Sequence, residues 1–310
     1  MASLEGKRVH ITGASSGVGL AAAEAFAKHG CDVAVSARSI DGLERAAAAV
    51  RRYGRRALVL PLDVTDQPAL DAAIAAIEAE WGGLDILVPN AAMTIWGPFV
   101  DVPKEEFDRI VEISFLGVVN TVRAGLPALE RTGGAVVATG SLMSKLPLPT
   151  WTSYSASKWA SRGFLHALRI ELQSSGSKVT VSMVHPGSID TPVYSDTPSA
   201  LDRGPRRPPE GYHPSVIAEA LVGMAKNPRA EITVGAEAKA LELLWTSSQQ
   251  AGDLVMRAIY HYFMSGKRPG SDAAALWAAA GKGVAGGDLI GRPSLTLPLR
   301  LATLPLRLLR

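Results

Sequence analysis

The run Tyr154-Ser-Ala-Ser-Lys158 places a phenol and a primary amine at i and i+4, which on a helix puts both on one face. A phenol ordinarily titrates near ~10, and an adjacent cation is one physical way to make it a usable acid–base group near neutrality. The pair alone is a weak signal, because chance gives about 0.2 such spacings in a chain of this composition. Its weight depends on what shares the site with it.

A second constellation lies close to the N-terminus. Thr12-Gly13-Ala-Ser15-Ser16-Gly17-Val18-Gly19 follows an apolar run and opens directly into a helical pattern. Glycines at 13, 17 and 19 allow a tight turn and close backbone approach to a pyrophosphate, and the helix beyond offers unpaired N–H groups and a positive dipole end. An isolated glycine-rich loop says little, but one between a first strand and a first helix is informative. At the end of the next strand, ~20 positions on, an acidic residue would hold a ribose 2′-hydroxyl. This chain has Ala37 there, followed by Arg38. An uncharged side chain beside a guanidinium suits a 2′-phosphate, so the expected cofactor is NADP(H).

The elements that must position these groups read as alternating strands and helices. Apolar runs at 8–11, 32–36, 57–60, 84–88, 135–139, 179–184 and 231–234 are expected strands. Between them lie helical spacings such as Val18, Ala22, Ala25 and Phe26, or Leu70, Ile74, Ile77 and Trp81. Strands rich in Val, Ile and Leu that alternate with helices predict an α/β fold, a doubly wound, seven-stranded parallel sheet of Rossmann type covered on both faces. The expected division is a cofactor-binding catalytic domain over 1–235 and a mostly helical C-terminal extension over 236–310 with a basic, apolar tail. Residues 191–214, rich in Pro, Arg, Ser and Gly, follow the sixth strand. They are either a lid over the ligand cleft or a surface loop.

Composition narrows the class. The formal net charge is +3 over 310 residues, and the basic runs carry a single interleaved aromatic, Tyr53, which argues against a nucleic-acid partner. The single cysteine, Cys31, excludes an internal disulfide and agrees with a reducing compartment. Without an apolar leader or ~18 uninterrupted apolar residues, a cytoplasmic protein with no spanning segment is expected. The tail packs on a partner or on its own domain, with peripheral membrane contact as the alternative. No His/Cys cluster has metal spacing, so no metal is expected.

Assembled, these residues resemble the short-chain dehydrogenase/reductase family, in its compact single-domain branch, over about residues 7–235. The glycine pattern of 12–19 is similar to that branch's own. Asp63-Val64 resembles the family's adenine-contacting pair, and Pro89-Asn90-Ala91-Ala92 its Asn-Asn-Ala-Gly element. Ser141 lies at the family's usual separation from Tyr154, and Pro186-Gly187 with Ile189 and Thr191 resembles the segment that holds the nicotinamide carboxamide. The family's fourth catalytic residue, an Asn, is replaced by Ser114, while Asn120 stands six residues too late. Ser114 can still hydrogen-bond a water and stands as the candidate relay member, but it is shorter and lacks the amide's geometry, so the proton relay is expected to be rearranged or slowed.

The resemblance implies a homodimer or homotetramer, and an oxidoreductase that interconverts a carbonyl and a secondary alcohol on a small molecule. Tyr154 would be acid or base, Lys158 would lower its pKa and bind the nicotinamide ribose, and Ser141 would hold the substrate oxygen. Met93, Thr94, Trp96, Leu142, Met143, Leu148, Trp151, Val193 and Tyr194 surround the expected pocket and favour a bulky hydrophobic ketone or alcohol, and the leading reading of the resemblance is an NADPH-dependent carbonyl reductase. The alternatives are a non-enzymatic NADP(H)-binding protein on the same fold and an NAD-dependent alcohol dehydrogenase.

Overall fold

The computed structural model describes residues 3–192, 197–206, 208, 211–267, 270 and 273–277. Its strands are β1 (Arg8–Thr12), β2 (Asp32–Ala37), β3 (Ala57–Pro61), β4 (Ile86–Val88), β5 (Ala135–Thr139), β6 (Thr180–Pro186) and β7 (Glu231–Val234). Its α-helices are α1 (Gly17–Lys28), α2 (Ile40–Arg51), α3 (Gln67–Trp81), α4 (Lys104–Val111), α5 (Gly117–Thr132), α6 (Thr152–Ser174), α7 (Pro214–Lys226), α8 (Ala236–Ser247) and α9 (Gln249–Met264). A π-helical turn, Glu112–Leu116, joins α4 to α5. Each expected strand is present, with ends shifted by at most two residues, the ordinary uncertainty of element boundaries.

All pairings are parallel, in the order β3-β2-β1-β4-β5-β6-β7. The chain winds outward from β1 to β3, then returns to the other side of β1 with β4. That reversal leaves a crevice outside the carboxyl ends of β1 and β4, where open α/β sheets bind ligands. Both faces are covered, as a Val- and Ile-rich parallel sheet requires. Along β5, Ala135 and Val137 pack with α1, α2 and α7, while Val136 and Ala138 pack with α3, α5 and α6. The period of two sends alternate side chains into two separate cores.

The continuous helical run Lys104–Thr132 is long and apolar enough to cross a membrane by length and composition, a test that a core helix also passes. It packs against α3 and α6 inside the molecule. The segment after β7 is helical through α9, and Phe263 of α9 meets Trp151 edge-on at 4.7 Å between ring centroids. The basic tail beyond Trp277 lies outside the described residues.

The switch point is fastened by a side chain. Asn90, just past β4, donates from Nδ2 to the carbonyls of Thr12 (3.0 Å) and Gly13 (3.2 Å). The Thr12 hydroxyl accepts in return from the backbone N–H groups of Asn90 (3.0 Å) and Ala91 (3.2 Å). Removing the amide leaves two partly buried carbonyls without that donor. Asn90→Ala is therefore expected to cost about 1–3 kcal/mol in urea unfolding. An unchanged midpoint would show that the turn holds without it.

Candidate active site

A cavity of about 390 Å³ opens at the carboxyl ends of the strands. At one end the glycine turn forms its floor. Gly13 has φ +67°, and a Cβ there would lie 2.7 Å from the Cα of Ala91. At Gly19 a Cβ would lie 2.2 Å from the Gly13 carbonyl oxygen. Gly13 is therefore needed for the turn to close against the segment after β4, and Gly19 for α1 to close against the turn. Ser16 precedes α1 in extended backbone and makes no side-chain cap, so the first-turn N–H groups face the cavity uncapped by it. This cradle fits a pyrophosphate.

Gly13, Ser15, Ser16, Gly17, Val18, Gly19, Arg38, Asp63, Val64, Asn90, Pro186, Gly187, Ile189 and Thr191, each named from sequence, all line this one cavity. Their geometry adds detail that the sequence could not supply. Arg109, from α4, donates to the Asp63 carboxylate at 2.6 Å, and Asp63 also accepts from the N–H and hydroxyl of Thr65. Burial alone would raise the Asp63 pKa, but the Thr65 bonds and the Arg109 charge outweigh it and hold it below the ordinary value. Asn120 donates to the Val64 carbonyl at 3.2 Å, so it braces that turn. Arg38 lines the wall half-buried, with Nη1 donating to the Leu276 carbonyl at 2.9 Å and Nη2 to Met93 Sδ at 3.2 Å. Arg109 Nε reaches the same carbonyl at 3.3 Å, and its guanidinium stacks over Trp277 at 5.4 Å. The Ala273–Trp277 segment thus closes on the Arg38 side of the cleft.

At the other end stand Tyr154, Lys158 and Ser141. Tyr154 and Lys158 leave α6 one turn apart, and Lys158 Nζ sits 5.5 Å from the Tyr154 ring centroid. Lys158 is 2% exposed and donates to the Thr139 carbonyl at 3.0 Å. Desolvation lowers its pKa to about 8, because a low-dielectric interior penalises the ammonium. Ser141 follows β5 and caps a short helical turn, Leu142–Ser144. Its Oγ accepts from the Met143 N–H at 3.1 Å, and its own N–H donates to Ser144 Oγ at 3.2 Å. That reciprocal box fixes the Ser141 rotamer while using one of the hydroxyl's lone pairs.

Met93, Thr94, Met143, Leu148 and Trp151 also line the cavity. Three residues proposed from sequence do not. Ser114 is fully buried, and its hydroxyl is committed to the backbone of Met93, accepting from N–H at 2.9 Å and donating to the carbonyl at 2.7 Å. Its neighbour Ile113 reaches the cavity instead, so the Ser114 side chain is not placed to relay a proton. Trp96 is wholly buried in a cluster with Trp151 and Phe263, held there because its backbone pairs with Pro198 and Ala200. Leu142 lies outside the cavity wall because the short turn sends Met143 inward. Val193 and Tyr194 lie outside the described residues. Sequence reasoning passed over Thr197, Pro198 and Phe263 in the wall and Arg109 behind it. Only the loop over 191–214 carried any signal, as a candidate lid. Its described part is stitched to Trp96 and contributes two of them.

Because the Lys158 pKa falls below its unfolded value of 10.5, the unfolded chain binds more protons between about 8 and 10.5. Burying Lys158 therefore destabilises the fold at neutral pH, and the penalty fades as pH rises through that window. Lys158→Met should unfold at higher urea than the parent at pH 7, with the difference shrinking towards pH 10. A mutant clearly less stable at pH 7 would contradict this.

Residues 7–202 match the family model described as short chain dehydrogenase. The chain is 30% identical over 269 residues to the uncharacterized oxidoreductase YxnA of Bacillus subtilis, covering 86% of this chain and 76% of that protein. An alcohol dehydrogenase from the archaeon Thermococcus sibiricus, solved with 5-hydroxy-NADP, is 32% identical and superposes with a TM-score of 0.66 over 74% of this chain and 96% of that one. A short chain dehydrogenase/reductase from Burkholderia phymatum, solved with NAD, shares the fold at 22% identity, with a TM-score of 0.73 over 81% of this chain and 96% of its own. Matched over most of its sheet and aligned with relatives along most of its length, this chain belongs to the short chain dehydrogenases.

Proposed function

We propose that the protein is an NADP(H)-dependent carbonyl reductase, working reversibly as an alcohol dehydrogenase on a hydrophobic small molecule. The observation that carries this reading is the buried Lys158 ammonium beneath Tyr154, at the end of a cavity whose far end is a pyrophosphate cradle. Bound there, a nicotinamide would supply the hydride for the carbonyl carbon. The chain's own residues supply the rest. Tyr154 gives its phenolic proton to the substrate oxygen, or takes it back in oxidation. Lys158 stabilises the phenolate left behind through its charge. Ser141, its rotamer set by the Met143 N–H, directs its hydroxyl proton at the same oxygen and offsets charge that develops there. Met93, Met143, Leu148, Trp151 and Phe263 give the cavity a predominantly apolar wall, which favours a hydrophobic ketone. The preference for NADP(H) rests on Ala37 and Arg38, both in the wall with no carboxylate at that turn. Arg38 would exchange the Leu276 carbonyl for a 2′-phosphate. A homo-oligomer in the cytoplasm completes the reading, supported by Trp159 and Ile170, exposed on α6 at 44% and 56%, and by a single, buried cysteine.

A second reading is a non-enzymatic NADP(H)-binding protein, favoured by the commitment of the Ser114 hydroxyl to Met93. Screening NADPH oxidation against hydrophobic ketones, with Tyr154→Phe as control, separates the two. The reductase reading expects turnover that falls by about 10²–10⁴-fold in the mutant while NADPH still binds. Turnover that survives in the mutant contradicts the mechanism.

The cofactor assignment is tested by Ala37→Asp, expected to weaken NADPH binding by about tenfold or more, or about 1.4 kcal/mol, and to favour NADH. Fluorescence titration with both cofactors checks it, and unchanged NADPH selectivity would overturn it. Reduction should also slow as pH rises through about 8, where Lys158 loses its proton. The limb belongs to the coupled Tyr154–Lys158 pair, and a flat profile through that pH would contradict the role given to the ammonium.

A further inference from the structure

Beneath the candidate catalytic groups lies a charged cluster centred on Glu231, the first residue of β7. Arg162 grips its carboxylate as a fork, Nε to Oε2 at 2.8 Å and Nη2 to Oε1 at 2.9 Å, the geometry that gives a guanidinium its directional strength. His166 Nε2 lies 3.0 Å from Oε2. His185 Nε2 lies 3.0 Å from the same oxygen, and Lys145 Nζ 3.0 Å from Oε1. Lys145 also pairs with Glu242 at 2.9 Å, which in turn meets Lys239 at 3.3 Å and the Thr233 hydroxyl at 2.6 Å. Burial would raise the Glu231 pKa, but the hydrogen bonds from His185, Arg162, His166 and Lys145 overcome it and hold the carboxylate ionised.

These partners come from two places that matter. Arg162 and His166 continue the i+4 series begun by Tyr154 and Lys158, so four residues share one stripe of α6. Lys145 and His185 serve the loop that carries Ser141. Lys145 closes the Leu142–Ser144 turn. His185 is fully buried, with Nδ1 3.1 Å from the Ser141 carbonyl oxygen. A carbonyl and an ionised carboxylate both only accept, so His185 spans the two with a proton on each ring nitrogen, a charge state that burial opposes and the Glu231 carboxylate favours. The fit is close, since a Cβ on Gly140 would lie 2.5 Å from that nitrogen. One carboxylate therefore receives both the helix bearing Tyr154 and Lys158 and the loop bearing Ser141.

We propose that Glu231 is a positioning residue that holds α6 in register with the Gly140–Lys145 loop, acting on Ser141 through His185. The proposal rests on the reductase reading in taking Ser141 and Tyr154 as the reacting pair. Small misplacements of such groups are costly to the reaction while leaving binding nearly intact. Glu231 touches neither the cavity wall nor the cofactor cradle, so its loss should separate the two.

The test compares Glu231→Gln with the parent in NADPH affinity, in kcat and KM for a ketone the parent reduces, and in amide hydrogen exchange. Expected for Glu231→Gln is a kcat lower by about ten- to hundredfold, with KM and the NADPH Kd within about twofold. The Met143 amide, held by Ser141 Oγ, should exchange faster while the amides of β1 to β3 keep their protection. His185→Asn retains an N–H near the Ser141 carbonyl and should recover part of the kcat lost in His185→Leu, which keeps the test open if Glu231→Gln folds poorly. Unchanged kcat and unchanged Met143 exchange would overturn the proposal. So would exchange that rises evenly across the sheet, the mark of a purely structural ion pair. If the parent reduces no ketone, the reductase reading fails by itself, and the Met143 exchange comparison alone decides whether Glu231 positions the loop.

Discussion

An ammonium buried to 2% exposure is the constraint around which this site is organised. Desolvation makes Lys158 costly, and its pKa near 8 expresses that cost. The fold tolerates it because α6 delivers the side chain to the open carbonyl of Thr139, at the end of β5, where the sheet has stopped using its acceptors. A parallel sheet makes that arrangement possible, because every strand ends on the same edge. There the loops after β1, β4, β5 and β6 converge on one cavity.

Two kinds of fastening keep that edge in place. Near the pyrophosphate cradle the bonds are neutral. Asn90 and Thr12 exchange hydrogen bonds across β1 and β4, and glycines at 13 and 19 let the turn close without a Cβ in the way. Near Tyr154 the fastening is ionic, running from Glu231 into α6 and into the Ser141 loop. The contrast follows from what each end holds. A cradle for an anion needs free N–H groups and no competing charge, whereas a cation buried among apolar neighbours needs its helix held rigidly.

Much of this was legible in the sequence, and the limits are instructive. The strands could be read because a parallel sheet covered on both faces demands continuous apolar runs, and Val136-Val137 supply one. The cradle could be read because glycine spacing in a strand–turn–helix is dictated by sterics. Tyr154, Lys158 and Ser141 could be read because they keep fixed separations along the chain. What was not legible was anything set by tertiary contact alone. Arg109 reaches Asp63 from a helix 46 positions away. Phe263 enters the wall from a segment assigned to an appendage. Trp96 looked like pocket lining by composition, but backbone pairing with Pro198 and Ala200 turned it into the core. At Ser114 the sequence located the departure from the family pattern, and only the geometry showed its hydroxyl spent on Met93.

The central claim is that the Lys158 charge tunes the Tyr154 phenol. Carbon-13 labelling at the tyrosine Cζ, with NMR titration of Tyr154 in the parent and in Lys158→Met, measures this without any substrate. The account predicts a lower ionisation midpoint for Tyr154 in the parent than in the variant. Equal midpoints in the two proteins would contradict it.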